Sequence, residues 1–234
     1  MRWLRPAFLT LLMLCAMACQ PRPEGPLIQV LRSSDFHPDS LDAVAFLAFS
    51  GGMAGDAAVQ VVEPILEDQL LGQAYPFVVL PRRELSRRAQ AEDVGPLLGK
   101  VRDFWRGSQK VDKFKLAELC AAVGIQGVLV GQVDDWTQVE ASEGTGESSV
   151  TRVAASLAYY SAANGRRAWK ARAAETVASE SLEQDITDAR ELTSRGRERL
   201  RAETVQSAAR KLPAPDFDVV ARSVAAALAA ALAG

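Results

Sequence analysis

The sequence predicts an α/β (α+β) fold, a single mixed β-sheet with helices packed on it and an antiparallel hairpin late in the chain. Three observations predict it. Short apolar runs alternate with stretches of helical periodicity in the first half of the chain, as in strands joined by helices. Two alternating segments then flank Asn164-Gly165, a strong hairpin signal. An Ala-rich segment, residues 217–233, has the apolar character of a covered closing helix.

The composition is that of a globular protein with little histidine chemistry. Of 234 residues, 48% are hydrophobic and 24% are charged, and the formal net charge is -2. A near-neutral chain has no overall positive field to attract nucleic acid. Because His37 is the single histidine, a two-histidine zinc site is impossible and a Ser-His-Asp triad would have to use that residue. We therefore expect no metal, no cofactor and no nucleic-acid partner.

The first 18 residues are expected to be a bacterial export signal, because two arginines precede an apolar run too short to span a membrane. The stretch Ala16-Met17-Ala18-Cys19 resembles a lipoprotein box, in which cleavage leaves Cys19 to carry lipid. An ordinary signal peptidase would also accept this stretch, so plain secretion is the alternative. Residues 19–39 contain four prolines and are predicted to be a tether, which leaves residues 40–234 as one domain.

The first half of the domain is predicted to alternate strands with helices. Residues 41–49 are nearly all apolar, as in a strand buried on both faces. A helix follows from Asp56, but Pro64 either kinks it or leaves its first turn in the loop. Residues 75–80 are predicted to be a short strand, and Pro81 then opens a basic helix.

The second half is predicted to be richer in strands. Three glycines and a proline within residues 91–108 indicate a loop or broken helix whose aromatic side chains pack inward. Residues 113–123 have helical spacing and stop at Gly124. The remaining predictions are strands at residues 126–133, 151–160 and 167–177, an exposed connection at residues 134–149 and a charged helical region at residues 179–212.

Several of these segments resemble a broad superfamily of bacterial envelope lipoproteins. They are residues 44–49 (VAFLAF), 77–85 (FVVLPRREL), 116–119 (LAEL), 123–133 (VGIQGVLVGQV) and 163–169 (ANGRRAW). The superfamily includes the curli-secretion channel lipoprotein, lipoprotein activators of penicillin-binding proteins and lipoproteins related to a neisserial surface antigen. The resemblance implies a lipid-anchored accessory or assembly protein. By the same resemblance, Gln20 after the predicted lipidated cysteine favours the outer membrane, facing the periplasm.

The hairpin is the most specific part of this resemblance. Asn164 and Gly165 can adopt the positive φ angles of a tight turn, although residues 161–163 could widen the loop. Trp169 supplies the largest apolar area on the returning strand. We expect this tryptophan to pack in the core rather than to stack on a ligand.

Four arginines give the helix after Pro81 a positive face. They are Arg82, Arg83, Arg87 and Arg88. Such a face is either solvated and balanced by nearby acids or a docking site for an acidic partner or lipid headgroups.

The turn Gly51-Gly52-Met53-Ala54-Gly55 lies between a strand and a helix, where dinucleotide-binding proteins place G-x-G-x-x-G. The spacing does not match, and no acidic residue closes the next strand, so we expect a plain turn. The sequence therefore predicts a non-enzymatic protein that contacts an unidentified envelope protein, in secretion or cell-wall synthesis. The alternative is a periplasmic enzyme or small-molecule binder using the cleft near this turn, and the closing helix could instead build a homo-oligomer.

Overall fold

In the computed structural model, residues 25–141, 148–179 and 213–234 are described, and they form a six-stranded sheet with five α-helices packed on it. The elements in chain order are β1 (Leu27–Arg32), β2 (Ala43–Ser50), α1 (Gly55–Gly72), β3 (Val78–Leu80), α2 (Arg82–Ala91), α3 (Gly95–Ser108), α4 (Lys113–Val123), β4 (Gly127–Val139), β5 (Val150–Ser161), β6 (Arg167–Ala178) and α5 (Phe217–Ala233). A 3-10 turn, Pro38–Ser40, precedes β2.

The strand order across the sheet is β1-β6-β5-β4-β2-β3. Strand β2 runs parallel to β3 and β4, and the other neighbouring pairs are antiparallel. The predicted fold class, a single mixed sheet with helices and a late antiparallel hairpin, is confirmed.

Two apolar layers hold the helices on the sheet. Helices α1 and α5 cover one face through a layer that includes Phe46, Leu129 and Leu157. Helices α2, α3 and α4 cover the other face through a layer that includes Leu47 and Val130. Side chains of β2 enter both layers, which explains why its sequence is an unbroken apolar run.

Two helices differ from expectation. Helix α1 is continuous from Gly55 through the exposed Pro64, so the idea that its first turn belongs to the loop is wrong. The loop or broken helix expected at residues 91–108 is found only at residues 92–94, and the rest of the segment is α3, an intact helix with Pro96 in its first turn. Its Trp105 packs inward, whereas Phe104 is 42% exposed. Burial of one apolar side of α3 outweighs the low helix propensity of its glycines.

Two strands are longer or earlier than predicted. Residues 27–32 of the predicted tether form β1, which pairs antiparallel with β6, and Phe36 just after it is buried. Because β1 has no buried side, its sequence lacks the alternation that marks a half-buried strand. Strand β4 continues to Val139 beside β5, into the region predicted to be an exposed connection.

Some predictions fall outside the described residues. They are the export signal and Cys19, residues 142–147 of the connection, and residues 180–212 of the charged helical region. Within the described ranges, none of the helices combines the length and the apolar character needed to cross a bilayer.

Candidate functional site

The carboxyl end of β2 is the polar region at which α/β sheets usually bind ligands. Strand β3 pairs with β2 only at residues 43–45, so the rest of that edge of β2 has no strand beside it. Two charged side chains take the place of a strand. The Nε of Arg102 donates to the carbonyl oxygen of Leu47 at 3.2 Å, and the carboxylate of Glu63 accepts the N–H of Phe49 at 2.9 Å. The open strand edge is thereby satisfied.

Glu63 is also one end of a buried ion-pair network. Its side chain is only 9% exposed and pairs with Arg82, the first residue of α2. Glu67, one turn along α1, accepts the backbone N–H of Arg82 at 2.6 Å and its Nε–H at 2.8 Å. Burial works against the charged form of Arg82, but its hydrogen bonding to Glu67 and the negative charges of Glu63 and Glu67 outweigh burial and raise the pKa of Arg82. The network fixes the start of α2 against α1.

Arg102 joins α3 to this network. Among the described residues, its hydrogen-bond partners are carbonyl and hydroxyl oxygens and not carboxylates. Besides Leu47, it donates to the carbonyl oxygen of Arg82 at 3.4 Å and to the hydroxyl of Ser86 at 3.3 Å. Burial, followed by the positive charges of Arg106 and Arg82, lowers its pKa. These contacts join β2, α1, α2 and α3, so the arrangement acts as a structural clamp.

The four arginines predicted to form a docking face do not lie together. Arg82 points inward to Glu63 and Glu67, whereas Arg83 and Arg87 are exposed. Arg87 and Arg88 both bond Glu84 on the same helix, at 2.7 and 3.0 Å, and their hydrogen bonds lower the pKa of Glu84 to about 2. The surface available for docking is the outer side of α2, where a shallow depression of about 690 Å³ is lined by Pro81, Arg83, Glu84, Ser86, Arg87 and Gln90. Docking itself stays a prediction.

The turn between β2 and α1 is closed on itself. The N–H of Ala54 donates to the carbonyl oxygen of Gly51 at 2.8 Å, and a Cβ on Gly51 would overlap the backbone of Gly55. Gly52 and Gly55 have φ angles of 50° and 77°, which favour glycine. Met53 at the tip is 99% exposed. The turn is therefore tightly closed by its own backbone, with Gly51 packed against Gly55.

The hairpin is wider than a two-residue turn. Gly165 has a φ of 66°, whereas Asn164 is not among the positive-φ residues and instead accepts the N–H of Arg166 through its side chain at 2.8 Å. The expectation of positive φ at Asn164 is therefore wrong, and the widened loop, residues 162–166, is what forms. Gly165 packs against Lys113 so closely that a Cβ there would overlap it. Trp169 is 2% exposed, as expected of a core residue.

Sequence reasoning missed a second concave surface beside this hairpin. A half-open groove of about 560 Å³ lies between the hairpin, the 3-10 turn and α4. Phe36, Ile125 and Ala121 contribute apolar lining, and His37 and Arg166 contribute polar groups. Its walls come from three separate segments, within residues 33–41, 117–126 and 159–168, so no local motif marked it.

No family model matches the chain, and no curated protein matches it. Several solved structures are similar to it at low identity, including the following three. The PelC dodecamer from Paraburkholderia phytofirmans is 15% identical with a TM-score of 0.41, covering 89% of this chain and 98% of that chain. Lipoprotein GNA1162 from Neisseria meningitidis is 16% identical with a TM-score of 0.35, covering 71% and 96%. The LpoB C-terminal domain from Salmonella enterica is 14% identical with a TM-score of 0.36, covering 61% and 87%.

Proposed function

We propose that the chain is a lipid-anchored accessory protein of the outer membrane that faces the periplasm. It acts by protein–protein contact, without catalysis, in an envelope machine for secretion or cell-wall synthesis. The observation that carries this proposal is that the charged side chains at the carboxyl ends of β2 and β3 make structural contacts. Glu63, Arg82 and Arg102 close a strand edge and join helices there, so they serve the fold rather than a substrate.

Two further features support an accessory role. The lipoprotein box at Cys19 supplies the anchor. The outer side of α2 supplies a contact surface, since Arg83 is exposed and makes no ion pair within the described part of the chain. An exposed cation of this kind suits an acidic protein partner. The alternative, an enzyme or small-molecule binder using the cleft near Gly51, has less support because the turn is closed by its own hydrogen bond and the two depressions described above are lined by other residues.

The contact surface is tested by photo-crosslinking in intact cells. A photoreactive amino acid replaces Arg83 in one variant and Val219, which is also exposed but lies on α5, in the control. We expect one envelope protein to be crosslinked at the Arg83 position and not at the Val219 position, with its identity given by mass spectrometry. An added Arg87→Glu substitution should weaken this crosslink. Equal crosslinking at both positions, or none that depends on Arg87, would argue against docking on α2.

The anchor is tested separately. Mass spectrometry of the mature amino-terminal peptide should show an acylated Cys19, and Cys19→Ala should release the protein from the membrane fraction. An unmodified Cys19 would contradict the anchor while leaving the contact surface to be judged by crosslinking.

A further inference from the structure

The half of the sheet built by β5, β6 and β1 has a face that the described helices leave open. Helices α2, α3 and α4 lie on that side over β2, β3 and β4 and reach β5 only near Ala158 and Tyr160. The opposite side of β6 is covered by α5, because Trp169, Ala171 and Ala173 point into the layer they share. Alternate residues of β6, such as Lys170 and Arg172, therefore point to the open side.

The register between β1 and β6 identifies the rest of this face. Leu27, Gln29 and Leu31 stand opposite Ala174, Arg172 and Lys170. Residues directly opposite each other in a sheet point to the same side. Leu27 and Leu31 are consequently on the open side, and they are 71% and 66% exposed. We call Leu27, Gln29, Leu31, Lys170 and Arg172 the open sheet face.

Ion pairs among the described residues neutralise two of the cations on and beside the open sheet face, but not Lys170. Arg172 pairs with Asp134 at 3.1 Å, and Arg152 pairs with Asp135 at 3.0 Å, so these four charges compensate one another. Lys170 makes no ion pair with any residue that the structure describes. The face thus presents two leucines with an unpaired cation opposite Leu31, a combination that suits the boundary between acyl chains and phosphate headgroups.

The position of β1 in the chain places this face near the predicted anchor. Eight residues lead from Cys19 to Leu27, and a chain of that length reaches at most about 28 Å when fully extended. An acyl group on Cys19 would hold β1 close to the bilayer, whatever path the chain takes. Pairing of β1 with a second copy would use the edge of the strand and leave both leucines exposed, whereas a bilayer would cover the face itself.

We propose that the open sheet face rests on the membrane surface, with Leu27 and Leu31 at the acyl boundary and Lys170 at the phosphates of anionic lipids. This inference rests on the proposed function, because the anchor brings the face to the bilayer. It places β1 and β6 nearest the membrane, whereas α2 packs at the opposite, β3 end of the sheet.

The experiment measures how well an aqueous quencher reaches a fluorescent label. Leu31→Cys and the control Val219→Cys carry an environment-sensitive dye in the full mature lipoprotein, reconstituted into vesicles of phosphatidylethanolamine and phosphatidylglycerol. The two positions are matched in exposure, 66% and 65%, and the native Cys120 is fully buried and does not compete for the dye. Iodide is the quencher, and thermal melts confirm that both variants fold.

We expect iodide quenching at Leu31→Cys to be about threefold or more below that at Val219→Cys in vesicles, because interfacial apolar groups lie about 5–10 Å deep. In the unacylated Cys19→Ala background without lipid, both labels should be quenched alike. Equal quenching in vesicles would overturn the proposal. So would a label at position 31 that is already shielded without lipid, because another part of the chain or a second copy would then cover the face. Failure of the anchor alone would be seen as an unmodified Cys19 in the mass spectrum.

Discussion

The ring of Phe49 in β2 lies over Gly131 of the neighbouring strand β4. The two residues are paired in register, and a Cβ at position 131 would overlap three atoms of the ring. On the other apolar layer, the indole N–H of Trp105 donates to the carbonyl oxygen of the same glycine at 3.1 Å. Gly131 is required by close packing here and not by a positive φ.

Replacing this glycine should destabilise the domain. Gly131→Ala is expected to lower the free energy of unfolding by about 1–3 kcal/mol, because the methyl group must displace the Phe49 ring. Urea denaturation measures the change. The control is Gly99→Ala in α3, where a Cβ would meet open space and helix propensity should add up to about 1 kcal/mol. The assignment fails if both alanines shift the midpoint in the same direction. Phe49→Leu should restore part of the loss in the Gly131→Ala background.

The clamp at the end of β2 can be tested at Glu63. Glu63→Ala should cost about 1–3 kcal/mol, because it leaves the buried N–H of Phe49 without an acceptor and leaves Arg82 with Glu67 as its remaining carboxylate. Glu63→Gln should cost less, since the amide oxygen can still accept the N–H. The comparison variant is Glu84→Gln, whose arginine partners lie at the surface and which should change the urea midpoint little. A Glu63→Ala midpoint as close to wild type as that of Glu84→Gln would show that the clamp adds nothing.

The elements that could be predicted are those whose signal is local. The unbroken apolar run predicts strand β2 from its own residues, and Gly124 likewise predicts the end of α4. Both predictions are confirmed. Strand β1 carries no such signal, because only its pairing with β6, far away in sequence, makes it a strand. Helix α3 could not be predicted because its glycines have low helix propensity. The burial of Leu98 and Trp105 stabilises it, and that burial depends on the rest of the fold.

In the site, too, local sequence does not determine which residues come together. Arg82 and Arg83 are equivalent in the sequence, yet one is an internal clamp and the other a surface cation. The difference comes from Glu63 and Glu67 on α1, which sit one turn apart and share an arginine partner. Two acids at this spacing, one of them within the apolar stripe of a helix, were the available signal. An acid on an otherwise apolar stripe predicts a buried partner, although it does not say which one.

Trp169 should be one of the most costly side chains to remove. It is 2% exposed and its ring centre lies 6.3 Å from that of Phe36. Trp169→Ala is therefore expected to cost about 3–5 kcal/mol, and Trp169→Phe less. Thermal melts followed by circular dichroism measure both. Because Trp169 bridges β6 and the segment after β1, the alanine variant should also increase proteolysis in that segment. An unchanged melting temperature would rule out a core role.

The pH dependence of stability should have an alkaline branch set by buried acids. Burial raises the pKa of the Cys120 thiol from 9.0 to about 12 and that of the Tyr159 phenol from 10.0 to about 12. Between these values the unfolded chain has lost protons that the folded chain keeps. The unfolded state therefore binds fewer protons, and the free energy of unfolding falls as pH rises. Below the ordinary thiol pKa the contribution is complete and constant.

Cys120→Ala isolates the thiol's share of this effect. We expect the urea midpoint of the parent protein to fall between about pH 9 and about pH 11, and that of Cys120→Ala to fall less steeply, because the alanine has no proton to lose. The thiol of the folded parent should also resist aqueous thiol reagents and react on unfolding, since the side chain is fully buried. Parallel slopes for the two proteins would mean that Cys120 ionises equally well in the folded state, which is incompatible with its place against the sheet.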